Sequence, residues 1–390
     1  MVAEATVSRS LAYLFLLSRF TGGAPVYINS NGNNRYRVIL APNDSCFQYL
    51  YFAVSCLAVI GAILSESYVF FIHQPSRKWW PYKSVDFTIG ILGIIFAVTN
   101  SRRITKCFIQ YINETNDITS KIINDYDRSN SEERRLSIIL IGSICFFILS
   151  SLVHFVKQFS SDYNLTDIFL AIILFMYTTF MLLVMQIIVV NYDLYNVFRI
   201  IKRRLVELLD ETRKETSSSS LDIKLQRVRT LTTSYISLCD VMEQMNQASG
   251  KAIFIAIASF VIIIMFYLCN ILTYFYDKNG INYFKINSSY TCICYYCFEI
   301  YLIIKPVHLI TKESNEVDIY LASLMYELTT EGSRSTWHWD VVYMQLGQCR
   351  PELRALDMFP INNSLIMKII GFMNIYLVML IQWTRNRIFQ

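Results

Sequence analysis

Hydrophobic positions in this chain gather into long unbroken runs. Runs near 47–68, 84–100, 136–157, 168–190, 252–276, 290–310 and 364–383 are almost purely apolar, and the segments between them are rich in Ser, Asn and charge. A bilayer core about 30 Å thick is crossed by roughly 20 apolar residues of helix, so each run predicts a membrane span. The second is the weakest, being short and opening on Asp86. Between the runs the pattern becomes amphipathic. "NVFRIIKRRLVELLDETRKE" (196–215) continues out of the fourth run with Val197, Ile200, Ile201, Leu205, Leu208 and Leu209 at helical spacing. "SSSS" (217–220) predicts a turn, and a second amphipathic helix over about 221–250 runs into the fifth run. The segment 312–363 alternates helix-forming and turn-forming stretches. These helices either rest on anionic lipid or pack as a bundle that joins subunits. The bundle is favoured, because several apolar faces need partners. "LAYLFLLSRFTGGAPV" (11–26) reads either as a secretory signal or as an uncleaved amphipathic segment lying against the inner membrane face.

Composition agrees with the runs. Hydrophobic residues make up 54% and charged residues 17%, against roughly 45–50% and 25% in soluble domains. The ten cysteines are scattered, with no spacing that suggests a disulfide framework. The net charge of +5 matters less than its distribution. The N-terminus and the loops after the second, fourth and sixth runs carry most of the 35 Lys and Arg. The positive-inside rule therefore puts the N-terminus in the cytosol and the C-terminus outside. The fold class expected is an all-α membrane protein with seven transmembrane helices and long cytosolic helical extensions. A seven-helix receptor coupled to G proteins has the opposite orientation, and neither an Asp-Arg-Tyr at the third run's inner end nor an Asn-Pro-x-x-Tyr in the seventh is present. Sequons at Asn164 and Asn287 fall in predicted outer loops, while those at Asn43, Asn113 and Asn362 fall on the inner side.

Catalytic signatures are missing. There is no Walker loop, no His-Glu-x-x-His and no Gly-x-Ser-x-Gly, so no enzyme, cofactor, metal or nucleic-acid role is expected. "CICYYC" (292–297) resembles a metal cluster in composition only and reads as packing within the sixth run. Ionisable groups inside the membrane carry more information, because they usually face a cavity or a partner. Asp86 opens the second run, Glu66 ends the first, His154 and Lys157 end the third, and Glu299 lies about two turns inside the sixth, near Tyr290, Tyr295 and Tyr296. Tyr267, Tyr274 and Tyr276 end the fifth. On the predicted orientation all of these lie in the outer half. They read either as an interfacial belt or as the aromatic wall of a small-ligand pocket.

The last run contains one amide near its end, Gln382. On a helix Gly371, Asn374, Val378 and Gln382 fall on one stripe, beside Ile375. An amide unpaired in lipid costs several kcal/mol, so this stripe either packs on another helix or lines water. The alternation of small, polar and apolar positions also suits a pore, where an apolar ring gates beside a polar ring that replaces hydration.

The same residues carry a family resemblance. "IYLVMLIQW" (375–383) places Tyr376, five hydrophobics, Gln382 and Trp383 in the order of the C-terminal motif of insect gustatory receptors, Thr-Tyr, five hydrophobics, Gln-Phe. Ile375 stands for the usual Thr and Trp383 for the usual Phe. "FPINNSLI" (359–366) resembles the stretch leading into that family's last helix, and "SRFTGGAPV" (18–26) its Gly-x-Ala-Pro segment. The resemblance implies a tetrameric, tastant-gated, non-selective cation channel in the plasma membrane of sensory neurons. It implies a pore lined by the last helix of four subunits, with Gln382 as a polar ring and Trp383 at or beside the gate; Val378 and Met379, one turn below, would form the apolar constriction. A pocket in the outer half of each subunit would bind the tastant, a bitter compound sooner than a sugar. Asp86, His154, Tyr177, Tyr267, Tyr296 and Glu299 are assigned to that pocket without any motif. The expected division is a cytosolic N-terminal segment (1–46), a six-helix ligand-binding bundle (47–310) with cytosolic extensions 101–135 and 191–251, anchor helices (311–363), and a pore helix with a short outer tail (364–390). Partners expected are the tastant, permeating monovalent cations and calcium, membrane lipid, and like or related subunits of a homo- or hetero-tetramer. A non-conducting or obligate co-receptor subunit is the alternative; a secondary transporter fits less well, because no internal repeat is visible.

Overall fold

The structure is a computed structural model of the 390-residue chain, described over residues 4–7, 9–20, 24–30, 36–40, 80–122, 165–214, 221–275, 283–330, 352–356 and 358–388, with further helical positions at 53, 56, 57, 60, 61, 64, 138 and 142. Apart from those positions, the expected spans at 47–68 and 136–157, with Glu66, His154 and Lys157, lie outside the described residues. So does the predicted turn at 217–220.

Four long helices dominate: α2 (Trp80–Ile122), α3 (Leu165–Lys214), α4 (Leu221–Phe275) and α5 (Tyr283–Thr330). Each begins or ends in an apolar run and continues without a break into an amphipathic segment. In lipid every backbone donor and acceptor must be satisfied within the segment, so the apolar part is helical whatever its β-branched content. The amphipathic part continues the same hydrogen-bond ladder and so needs no new nucleation. Among the described residues three helical segments are long and apolar enough to cross a membrane: Thr178–Arg213, Ile223–Leu272 and Ile286–Glu327. α5 also runs through Pro306, which lacks the backbone donor for the preceding turn.

Side-chain contacts fix the directions of these rods. α3 and α5 run parallel. Lys202 Nζ reaches Glu313 Oε2 at 2.6 Å and Glu316 Oε2 at 2.8 Å, and further along both helices Arg213 Nε donates to Glu327 Oε1 at 3.1 Å. α4 runs against them. Tyr235 on α4 meets Ser314 and Asp318 of α5, whereas Phe260, later on α4, meets the earlier Tyr296 at 5.5 Å between centroids. The polar extensions 191–214, 221–250 and 311–330 therefore lie at one end of the molecule. Their shared core is made of Val197, Ile201 and Leu205, Val228 and Leu238, and Val317 and Leu321, all buried. Each such side chain contributes about 1.5–3 kcal/mol on full burial.

Tyr235 and Lys202 are both paired inside this bundle. Tyr235 donates to Asp318 Oδ1 at 3.1 Å, and with its one proton committed it accepts from Ser314 Oγ at 2.7 Å. Burial pushes its phenol far above the ordinary range. Burial works to lower the Lys202 ammonium, but hydrogen bonds to Glu313 and Glu316 outweigh it and raise the pKa. The Lys202 hydrogen bond holds the Glu316 carboxyl below its usual value.

The N-terminal segment folds as β1 (Glu4–Val7), α1 (Arg9–Phe20), β2 (Val26–Ser30) and β3 (Tyr36–Leu40), with strand order β1-β3-β2, antiparallel throughout. The first strand lies on α2, where Asn113 donates to the Glu4 carbonyl and Asn116 to that of Thr6 at 3.0 Å. α1 packs on α3. Its Leu11, Leu14 and Phe15 are buried in the same continuous core, so this apolar face is satisfied by protein. Tyr13 and Leu17, on the other side of α1, are exposed.

Before the last helix a two-stranded hairpin, β4 (Arg354–Ala355) and β5 (Phe359–Pro360), turns through Leu356 at φ 55°. That left-handed conformation costs a leucine about 1–2 kcal/mol. α6 (Asn363–Ile388) follows.

Candidate functional site

Asn362 caps the start of α6. Its Oδ1 accepts the Ser364 backbone N–H at 3.1 Å and the Ser364 hydroxyl at 2.6 Å, which satisfies one of the donors a helix start leaves open. Leu365 is buried, and Ile366, Ile369 and Met373 pack against the core of the subunit. Tyr376 and Leu377 continue that side, half-buried. At about 100° per residue this packed side is centred opposite the line through Gly371, Asn374, Val378 and Gln382.

The opposite line is bare. Gly371, Asn374, Val378 and Gln382 are all exposed, and a Cβ at Gly371 would find no atom within 4 Å. Ile375 is 65% exposed, Val378 51% and Met379 58%. Of the candidate pore residues, Val378, Met379 and Gln382 thus stand on the unpacked side of the protomer. Trp383 lies on the same helix, with its side chain outside the described residues.

The candidate pocket residues are spread over four described helices. Tyr296 packs against Phe260 of α4 and at 5.1 Å against Tyr295, which is fully buried. Glu299, three residues further along α5, has no exposed surface. Tyr267 is half-buried on α4, with its ring 5.7 Å from that of Phe266. Asp86 and Tyr177 lie on α2 and α3, but their side chains are outside the described residues, as is all of His154.

A three-helix crossing gives these positions a common reference. A Cβ on Gly93 of α2 would stand 3.5 Å from the Phe180 ring of α3 and 3.6 Å from Ile255 of α4. At about 1.5 Å per residue, Tyr177 lies about 4.5 Å beyond that crossing, Asp86 about 10 Å and Tyr267 about 18 Å, all on the side away from the polar extensions. Tyr296 and Glu299 stand near the level of Phe260, five residues past Ile255. The helices thus bring Tyr177, Tyr296 and Glu299 to similar depth and place Asp86 and Tyr267 nearer the far end.

Sequence reasoning missed Asn246 and Gly250 on α4, which receive the β4–β5 hairpin: Asn246 Oδ1 accepts the Arg354 N–H at 3.0 Å, and a Cβ on Gly250 would stand 3.0 Å from the Arg354 carbonyl oxygen. A glycine in mid-helix was the only signal available. Among the described residues no group of His, Cys, Asp or Glu could hold a metal. Cys292 is buried, while Cys294 and Cys297 are exposed on α5.

A sequence-family profile described as 7tm Chemosensory receptor matches residues 11–385. No curated protein matches the sequence. The fold is similar to that of the insect olfactory receptor OR5 from Machilis hrabei, with a TM-score of 0.67 at 11% identity, covering 95% of this chain and 97% of that one. The same receptor in complex with eugenol is similar with a TM-score of 0.62 at 13% identity and the same coverage.

Proposed function

This chain belongs to the 7tm chemosensory receptor family, and from that premise we propose that it is a gustatory receptor working as a tastant-gated, non-selective cation channel of the plasma membrane. The observation that carries the reading is the division of α6 into a packed side and a bare side bearing Gly371, Asn374, Val378 and Gln382. A helix whose exposed line carries two amides does not suit lipid. Four copies around a shared axis would turn that line toward water, with Gln382 as a polar ring and Val378 and Met379 as the apolar constriction below it.

The chain would cross the membrane seven times with its N-terminus in the cytosol. The bundle made by the ends of α3, α4 and α5 would anchor the tetramer on the inner side. The tastant would sit beyond the Gly93 crossing, against Tyr177, Tyr296 and Glu299, with Asp86, His154 and Tyr267 toward the mouth. Occupancy opens the pore only if the ligand binds the open state better than the closed one. The motif Tyr376, Gln382, Trp383 supports a gustatory role, and the likeness to an olfactory receptor bound to eugenol supports an aromatic or volatile ligand as the second reading.

Cells expressing this chain alone should show calcium entry or cation current on exposure to a panel of sugars, alkaloids and small phenols. A surface-expressed chain that conducts only with a second family member would make it an obligate partner subunit, and substrate uptake without current would make it a transporter.

A further inference from the structure

Gly250 stands in the middle of α4, where glycine is the poorest helix former after proline. Its neighbours explain it. A Cβ there would meet the Arg354 carbonyl oxygen at 3.0 Å, with Asn246 Oδ1 and the Leu356 backbone nitrogen both at 3.6 Å. One turn earlier, Asn246 accepts the Arg354 N–H at 3.0 Å. One turn later, the ring of Phe254 faces that of Phe359 at 5.9 Å. Residues at i, i+4 and i+8 lie along one helix edge, so 246, 250 and 254 form a seat for the whole hairpin.

The seated piece is itself stiff. Its strands pair Arg354 with Pro360 and Ala355 with Phe359; Met358 N–H donates to the Ala355 carbonyl at 3.0 Å and Ile361 N–H to that of Leu353 at 2.9 Å. Leu353, Ala355 and Ile361 are buried. Asn362 then caps α6, and Leu365 is buried one turn on. The foot of α6 is thereby held to α4, while the helix beyond it keeps one side bare.

We propose that this seat is the joint through which movement of α4 reorients α6, and that Asn246, Gly250 and Phe254 are positioning residues for the last helix. The inference rests on reading α6 as the pore helix. α4 is one continuous rod from the seat to Phe260, which touches Tyr296 of the candidate pocket. A helix is stiff over that distance, about 15 Å from Gly250 to Phe260. A ligand that displaces α4 at Phe260 therefore displaces the seat, and the hairpin transmits the motion to α6. α6 also touches α5, which offers a parallel route.

The test uses the full chain in oocytes, with each variant normalised to its surface level. Sodium current is recorded at rest and during application of quinine, sucrose and eugenol. Gly250→Ala adds a methyl that the Arg354 carbonyl must yield to, and Asn246→Leu keeps side-chain size while removing the acceptor. Both are expected to change normalised current in the same direction by about threefold or more, with the sodium-to-potassium permeability ratio unchanged. Asn246→Asp keeps an acceptor oxygen and is expected to stay near wild type. Unaltered gating in both Gly250→Ala and Asn246→Leu overturns the joint while leaving the channel reading intact. If Gly250→Ala fails to reach the surface, Asn246→Leu decides alone. A wild-type chain that reaches the surface and passes no current, either alone or co-expressed with a second family member, overturns the channel reading, and the joint falls with it.

Discussion

At the scale of single residues, two side chains bear most of the functional reading. Gln382 is an amide on the bare line of α6, exposed with Val378 one turn before it. A ring of such amides replaces part of an ion's hydration, each at about the net value of a protein hydrogen bond, 0.5–1.5 kcal/mol. Gln382→Ala is therefore expected to change relative cation permeability severalfold and to leave ligand dependence in place, as measured by reversal potentials in mixed salts. Identical reversal potentials would take Gln382 out of the ion path. Glu299 is fully buried in α5 beside the Tyr295–Tyr296 pair. Glu299→Gln keeps shape and removes the group's capacity to carry a charge against a ligand, and a charged hydrogen bond is worth about 1.5–3 kcal/mol. The half-maximal tastant concentration should move by about tenfold or more; a superimposable dose-response curve at equal surface expression would remove Glu299 from the pocket. Gln382 and Glu299 were both legible in the sequence, because a polar group inside an apolar run stands out. Asn246 and Gly250 were not, because their partner, the 354–356 backbone, lies about a hundred residues away.

At the scale of elements, the polar-end bundle depends on a charged triad. Glu316 has a depressed folded pKa, so its stabilisation is complete above the ordinary value of 4.5 and is lost as pH falls through the lower folded value. Lys202 has a raised folded pKa, so its contribution is complete below 10.5 and is lost as pH rises through the folded value. The triad thus stabilises the parallel packing of α3 and α5 fully between those two values. Thermal melts in detergent should show the wild type losing stability below pH 4.5. Lys202→Met should melt several degrees lower at neutral pH and respond less to acid, since Glu316 then loses the ammonium that holds its carboxyl down; matching acid profiles would rule out the triad as a stability determinant. The long amphipathic helices followed directly from their period. The N-terminal sheet was less visible, although "VYINS" and "YRVIL" flank an Asn-Gly pair that is a hairpin signal. Its position over α2 is a tertiary fact, carried by Asn113 and Asn116, as is the packing of α1 on α3, which buries Phe15.

At the scale of the whole molecule, the parallel course of α3 and α5 and the opposed course of α4 put the Lys- and Arg-rich extensions at one end. Positive charge on one side predicts that this end is cytosolic. A tag at the N-terminus should therefore be labelled by antibody only after permeabilisation, and one at the C-terminus in intact cells; the reverse pattern would invert the proposed topology. The bare line of α6 in one protomer predicts further that the purified chain assembles as a tetramer, which mass photometry in detergent would read; a stable monomer would remove the shared pore.

The sequence by itself determined that the chain crosses membranes as helices and that long amphipathic segments extend those helices. Hydrophobic run length and period are local properties, and lipid leaves an apolar run no alternative to helix. It also marked Gln382 and Glu299, since a polar group in such a run is costly enough to need a reason. The tertiary structure alone decided which side of α6 is packed and which is bare, that α1 is covered by α3, and that a short hairpin is seated on α4 at Gly250. Those outcomes depend on contacts between residues far apart in the chain, and no local period encodes which distant backbone will approach a given helix edge.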